Sequence, residues 1–148
     1  MFSKNYRTLI PKIVFFLFVI ALAVFHFNYK LIIVDGISMY PTYHDKQLLL
    51  AVRSTDNILT NNVIVFSDDT DTVCIKRVIA KPGDTVTMEN KTIKVNNNTI
   101  RDVTYESSDK SYTLNDDEYY VIGDNWRNSY DSRTYGPINI EQIQGVIQ

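Results

Sequence analysis

Ser38 and Lys76 are the two residues of this sequence whose surroundings best suit catalysis. Ser38 lies in the segment Gly-Ile-Ser-Met-Tyr-Pro-Thr at residues 36–42, where glycine permits close backbone approach and proline stiffens the exit. Lys76 lies in the β-branched, apolar run at residues 74–79. Burial on a strand face lowers the pKa of a lysine, and a neutral amine can accept the proton of a serine hydroxyl. Each residue also has an ordinary explanation, as a turn serine or as an edge-strand lysine that reaches water.

A third segment, residues 123–133, is dense in side chains that form hydrogen bonds. It has the sequence GDNWRNSYDSR and follows the stretch Tyr-Tyr-Val-Ile. Asp131 and Arg133 can form an ion pair, and Ser129 can donate or accept a hydrogen bond. A solvated loop would explain this polarity, but the position next to a strand end favours residues that support a site.

Short β-strands must position these three segments, because runs rich in Val, Ile, Thr and Tyr dominate the chain beyond residue 35. Residues 102–118 are polar and acidic, which predicts an exposed loop. We therefore expect a mainly β fold of antiparallel strands, in two sheets or a partly open barrel. Turn residues separate the predicted strands, which are residues 47–52, 62–66, 73–79, 85–88, 92–95 and 119–122.

The N-terminal part of the chain follows another pattern, which predicts a membrane anchor. Every residue from 13 to 27 is apolar except His26, and a further apolar stretch ends at Val34. Together they reach the ~20 residues that a bilayer core requires. The basic residues before this run place the N-terminus in the cytoplasm by the positive-inside rule; they are Lys4, Arg7 and Lys12.

A removable signal peptide has a similar layout and is the alternative to an anchor. Ala21 and Ala23 form an Ala-x-Ala pattern, but this pattern lies inside the apolar run, whereas a cleavage site follows it. We therefore expect a single-pass protein of the cell membrane. Its parts are a cytoplasmic N-terminus at residues 1–12, a transmembrane anchor at 13–34 and an extracytoplasmic catalytic domain at 35–148.

The composition excludes several classes of protein. One cysteine among 148 residues cannot form an internal disulfide framework or a multi-cysteine zinc site. Two histidines leave little material for a histidine metal centre. A net charge of −2 argues against nucleic acid as a partner.

The three polar segments resemble, in order and spacing, the serine, lysine and GDN-x-x-x-S-x-D-S-R boxes of bacterial type I signal peptidases. The preceding anchor agrees, and the resemblance extends from there to near Gly136. It implies the fold shared by signal peptidases and LexA-like proteins, and an enzyme that removes signal peptides without a metal or cofactor. The implied partners are preprotein signal peptides, membrane lipid and the secretion translocon.

The resemblance also implies a role for each matching residue. Ser38 would be the nucleophile and Lys76 the general base, with Ser129 orienting the lysine amine through a hydrogen bond. Asp131 and Arg133 would form a bracing ion pair. Further residues would support the site or line the oxyanion region and substrate cleft: Asp124 and Asn125 in the first group, and Gly36, Met39 and Cys74 in the second.

Three departures from the family pattern concern details around this site. Gly36 lacks the hydroxyl that some members carry there, so the oxyanion would rely on backbone or water. Cys74 replaces a frequent aromatic residue, and we interpret it as a small packing residue. Asn61 and Asn62 stand where Gly-Asp is common, and asparagine tolerates the same turn backbone.

Two alternatives to a general signal peptidase stay open. One is a peptidase of the same superfamily dedicated to conjugation or pilin substrates. The other is a non-catalytic paralogue that binds exported peptides, although the presence of both Ser38 and Lys76 favours an enzyme. A LexA-like repressor would need a DNA-binding domain, for which this sequence has no candidate segment.

Overall fold

A computed structural model describes residues 4–89, 92–102 and 109–148 of the chain. The order of elements is a long N-terminal helix followed by eleven short strands, with a one-turn helix and a 3₁₀ turn near the end. The helices are α1 (Lys4–Asn28) and α2 (Ser132–Tyr135), and the 3₁₀ turn is Ile140–Gln142. The strands are β1 (Tyr29–Ile33), β2 (Leu48–Val52), β3 (Val63–Ser67), β4 (Val73–Ala80), β5 (Thr85–Glu89), β6 (Thr92–Val95), β7 (Asn98–Asp102), β8 (Lys110–Thr113), β9 (Glu118–Ile122), β10 (Ile138–Asn139) and β11 (Ile143–Ile147).

The strands form two antiparallel sheets, so the prediction of a mainly β fold is confirmed. The larger sheet has the order β1-β2-β11-β3-β4-β9-β10, and the smaller has the order β7-β6-β5-β8. Strand β3 is buried on both faces, which explains its continuous apolar sequence. Val63 and Val65 pack toward β1 and β2, whereas Ile64 and Phe66 pack toward β9 and β11.

Helix α1 ends earlier than the predicted anchor. Its stretch Leu9–Asn28 spans 20 residues and contains an 18-residue window with a mean hydropathy of 2.4, so it is long and apolar enough to cross a membrane. Residues 29–33, which belong to the predicted anchor, instead form strand β1, paired with β2 from Tyr29 to Ile33. The β-branched residues there suit a strand. The division of the chain into cytoplasmic, membrane and extracytoplasmic parts stays a prediction.

The six predicted strands are present with small shifts of their ends, but several strands were not predicted. The prediction of an exposed loop at 102–118 is wrong in part, because β8 and the first residue of β9 lie within it; residues 103–108 lie outside the described chain. Strand β11 joins β2 to β3 in the centre of the larger sheet. Its five residues contain Gly145, and glycine in a strand weakens the sequence signal.

Candidate active site

The serine segment leaves strand β1 and folds into consecutive turns that present Ser38. Gly36 has a φ of +89°, which favours glycine, and its N–H donates to Asp45 Oδ1 at 2.8 Å. Met39 is 1% exposed and packs in the core below β1 and β2. The Ser38 carbonyl accepts a hydrogen bond from Asn125 N at 2.9 Å. Hydrogen bonds of the backbone atoms Gly36 N and Ser38 O therefore hold the chain on both sides of the Ser38 side chain.

Lys76 approaches Ser38 from strand β4 and is buried. Its Nζ lies 3.1 Å from Ser38 Oγ and 3.1 Å from the Ile75 carbonyl oxygen. The side chain is among the few charged ones in the core. Burial lowers the pKa of the Lys76 amine, while the nearby Cys74 and Asp131 oppose the shift more weakly. A neutral amine at this distance can take the hydroxyl proton of the serine.

Asp131 and Arg133 form the ion pair that the sequence predicts, in the loop before and at the start of α2. Arg133 donates from Nε to Asp131 Oδ1 and from a terminal nitrogen to Oδ2, each at 2.7 Å. Both side chains are buried, and Asp131 Oδ2 also accepts the Gly123 N–H at 3.0 Å. Arg133 further binds the Trp126 and Ser129 carbonyls. The pair thus fixes the shape of the whole segment from Gly123 onward.

Asn125 and Asp124 connect that segment to the serine and lysine segments. Asn125 contacts the serine turn twice, through its N–H to Ser38 O and its Nδ2 to Ile37 O at 3.0 Å. Asp124 forms a two-pronged ion pair with Arg77, the residue after Lys76, at 2.8 and 2.6 Å. Burial alone would raise the pKa of Asp124, but side-chain hydrogen bonds and the charge of Arg77 together lower it on balance. No role is predicted for Arg77 from the sequence alone, because only the fold brings it to Asp124.

Ser129 lies beside the serine segment but does not contact Lys76 through a hydrogen bond. Its Oγ is buried and has no partner among the described residues, so the predicted Ser129–Lys76 hydrogen bond is not present. Gly123 explains how closely the chains approach there. A Cβ on Gly123 would lie 2.2 Å from Ser129 Oγ and 2.6 Å from Ser38 O, so this position requires glycine. Gly123 is the first residue of the polar segment, but its close approach to Ser129 and Ser38 is not predicted from the sequence.

A cleft of about 370 Å³ opens onto Ser38 and Lys76. Met39 and Cys74 lie in its wall, whereas Gly36 is outside it. Cys74 is half-buried, and burial raises the pKa of its thiol. Most of the remaining wall is apolar and comes from the end of β1 and the start of β4: Ile32, Ile33, Val34, Asp35, Thr72, Val73 and Ile75. In the described part of the chain, no three His, Cys, Asp or Glu side chains are grouped as metal ligands.

Comparisons with known proteins agree with this arrangement. The family model for "Signal peptidase, peptidase S26" matches residues 7–148. A signal peptidase I of Bacillus amyloliquefaciens is 35% identical over 132 residues, which cover 77% of this chain and 68% of the relative. Signal peptidase I S of Bacillus subtilis (strain 168) is 32% identical over 148 residues, covering 86% and 79%.

A solved structure shares the fold. The crystal structure of a signal peptidase I from Enterococcus faecalis V583 aligns with a TM-score of 0.53 and 23% identity, over 64% of this chain and all of that one. The family match over nearly the whole sequence and the Bacillus relatives together show that this chain belongs to the signal peptidase family, peptidase S26.

Proposed function

We propose that this chain is a membrane-anchored serine endopeptidase that removes signal peptides from exported preproteins, with Ser38 as nucleophile and Lys76 as general base. The observation that carries the assignment is the 3.1 Å separation of Lys76 Nζ from Ser38 Oγ, with the amine buried. Membership of the signal peptidase family supports the reaction and the class of substrate. The dyad needs no metal or cofactor.

Each cleavage would proceed in two steps, and in each step Lys76 would first accept a proton and then donate it. The neutral Lys76 amine takes the Ser38 hydroxyl proton as Oγ attacks the scissile carbonyl carbon. The lysine ammonium then gives that proton to the leaving amine, the peptide C–N bond breaks, and an ester on Ser38 remains. A water molecule, deprotonated by Lys76, hydrolyses this ester and restores the serine.

The backbone N–H of Ser38 is the proposed donor to the oxyanion. It makes no hydrogen bond within the described structure, so it is free to stabilise negative charge on the attacked oxygen. Loss of one such donor typically costs ~10²–10³ in rate. Gly36 adds no side-chain donor, which leaves any second donor to other backbone or to water.

Residues of the loop at 123–133 would keep Ser38 and Lys76 in position relative to each other. Asn125 holds the carbonyl of Ser38, and the Asp124–Arg77 pair ties the same loop to strand β4 next to Lys76. The buried Asp131–Arg133 pair braces the loop from behind. We assign Ser129 to this supporting group because of its close packing against Gly123.

The cleft suits an extended peptide that adds to the edge of β4. The pairing of β4 with β9 begins at Arg77, so residues 73–76 have no strand neighbour on that side within the described chain. A peptide there would form main-chain hydrogen bonds and direct alternate side chains into the cleft. The apolar wall formed by Ile32, Val34 and Met39 favours small uncharged side chains before the cut.

The expected topology places the site outside the membrane. Basic residues precede the apolar run within helix α1, which favours a cytoplasmic N-terminus. The catalytic segments would then face the side on which exported chains emerge. Strand β1 directly follows the helix, and Leu31 on β1 and Leu48 on the neighbouring β2 are exposed, so we expect them to contact lipid. Contact with the secretion translocon is a further proposal from the substrate.

Cleavage of exported preproteins in detergent or membrane vesicles tests the dyad. Ser38→Ala and Lys76→Met should each abolish turnover. Lys76→Met should be at least as stable as the wild type, because it removes a buried amine while retaining its volume. The matched controls are Ser111→Ala and Lys81→Ala, which change exposed residues and should retain full activity.

The pattern of results distinguishes the remaining possibilities. Retained activity in folded Lys76→Met would refute the general-base assignment. Cleavage of only one preprotein in a panel would indicate a substrate-dedicated peptidase. Binding without cleavage of any preprotein by folded wild type would indicate a non-catalytic paralogue.

A further inference from the structure

A second cavity, of about 260 Å³, lies next to the proposed active site and has no role in the mechanism above. We call it the tyrosine–aspartate cavity. Aromatic and apolar side chains form one part of its wall, and carboxylates and other polar groups form the rest. Its lining residues are Phe66, Asp68, Asp69, Thr70, Tyr130, Tyr135, Pro137, Ile138 and Gln142.

This cavity adjoins the substrate cleft at two points. The Thr70 hydroxyl, which lines the cavity, lies 3.0 Å from the Thr72 hydroxyl, which lines the cleft. Cys74 in the cleft wall and Tyr135 in the cavity wall pack against the same buried cluster. Tyr130 also directly follows Ser129 in the chain. A peptide in the cleft therefore passes within side-chain reach of the cavity.

The cavity carries negative charge. Asp68 Oδ1 accepts three hydrogen bonds, from Thr70 N, Thr70 Oγ1 and Thr72 N, and these keep the carboxylate ionised. Asp68 Oδ2 accepts none from the described residues. Asp69 is exposed, and its Oδ1 accepts a hydrogen bond from Gln142 Nε2 at 3.2 Å. No lysine or arginine is among the described residues that line the cavity.

The aromatic part of the wall suits a flat or aliphatic group beside that charge. Tyr130 is 68% exposed, and its ring lies 5.4 Å from the ring of Tyr135. Guanidinium and ammonium groups are attracted to aromatic faces, and their aliphatic stems pack on apolar surface. A carboxylate can bind the charged head group of a lysine or arginine, while an adjacent aromatic ring can pack against its aliphatic stem.

We propose that the tyrosine–aspartate cavity is a specificity subsite that binds an arginine or lysine side chain of the peptide substrate near the cut. This inference rests on the proposed peptidase function, because the basic side chain belongs to the peptide held in the cleft. Asp69 and Tyr130 are its specificity-determining residues. The subsite would favour substrates with a basic residue at one position over substrates with an uncharged residue there.

A peptide scan tests the subsite in the full-length enzyme in detergent. One arginine is moved along a cleavable peptide through about five positions on each side of the cut, and norleucine at the same position gives the uncharged reference. We expect one position at which arginine lowers KM about tenfold, with lysine intermediate. Asp69→Asn and Tyr130→Ala should each remove most of this preference while the norleucine peptide is cleaved at the wild-type rate.

Asp71→Asn is the matched control, because Asp71 lies on the same hairpin but outside the cavity. Its φ of +61° is one that asparagine tolerates. This variant should keep the preference for arginine.

Three results would overturn the proposal: no position prefers arginine, the preference survives in Asp69→Asn and Tyr130→Ala, or Asp71→Asn removes it equally. Failure to cleave the norleucine peptide would instead count against the peptidase function itself.

Discussion

Gly123→Ala should lower the activity of this protein while leaving it folded, because the added methyl group would clash with the serine segment. The new Cβ would lie 2.6 Å from Ser38 O and 2.2 Å from Ser129 Oγ. Ordinary contact begins near 3.4 Å, so the Ser38 carbonyl must retreat by roughly 0.8 Å unless the loop moves instead. The loop is fixed by the buried Asp131–Arg133 pair, so the serine segment is the part that yields.

The expected loss of rate follows from that displacement. A misplacement of about 1 Å in a catalytic group can cost ~10²-fold, which corresponds to about 2.7 kcal/mol in the activation barrier. Overpacking of a tight site costs about 1–3 kcal/mol of folding stability. Total stabilities of about 5–15 kcal/mol are usual for domains, so the variant should stay folded while its kcat falls about 100-fold.

Initial rates on one preprotein or peptide, measured with thermal denaturation of the same samples, check this expectation. Gly83→Ala is the control, since Gly83 also has a constrained backbone, with φ +83°, but no atom within 4 Å of the added Cβ. It should lose about 1 kcal/mol of stability and no activity. A folded Gly123→Ala enzyme with kcat within threefold of wild type would show that Ser38 and Lys76 keep their alignment without this glycine.

Two further predictions concern the charges of the site. The value of kcat/KM should rise with pH and level off below pH 10.5, the usual lysine pKa, because Lys76 acts as a neutral base and burial lowers its pKa; a flat profile from neutral to alkaline pH would contradict this role. Asp131→Asn should cost about 3–5 kcal/mol in urea denaturation, since it leaves Arg133 buried without its carboxylate. A loss below 1 kcal/mol, equal to that of the exposed control Arg127→Ala, would mean that the pair does not brace the loop.

Local chemistry in the sequence predicted the strands that carry the site. Strand β4 is recognisable because its residues are β-branched and apolar, and Lys76 stands out as the charge within it. Asn61 was expected to tolerate the backbone of a glycine turn, and it does adopt a φ of +74°. These features depend only on single residues and their immediate neighbours in the chain, so they can be predicted from the sequence.

Contacts between distant segments could not be predicted from the same information. Arg77 and Asp124 are 47 residues apart, and neither has a neighbour that signals the pairing. The approach of Ser38 to Lys76 was inferred from family resemblance, because spacing alone does not bring a turn after β1 to the face of β4. Strand β1 was misassigned because an apolar, β-branched stretch next to a membrane helix has the composition of both elements.

Lys76 is the residue at which stability and function oppose each other. Lys76, Asp131, Ser132 and Arg133 are the buried polar residues of the described chain. The aspartate and arginine neutralise each other, and the serine hydroxyl accepts the Val121 N–H at 3.0 Å. Lys76 has no carboxylate within ion-pair distance in the described structure, so its burial disfavours the charged form. Such a carboxylate would favour the charged amine and raise its pKa. The absence of an acidic partner is therefore a requirement of the proposed general base, and sites of this kind are where local rules of stability are expected to fail.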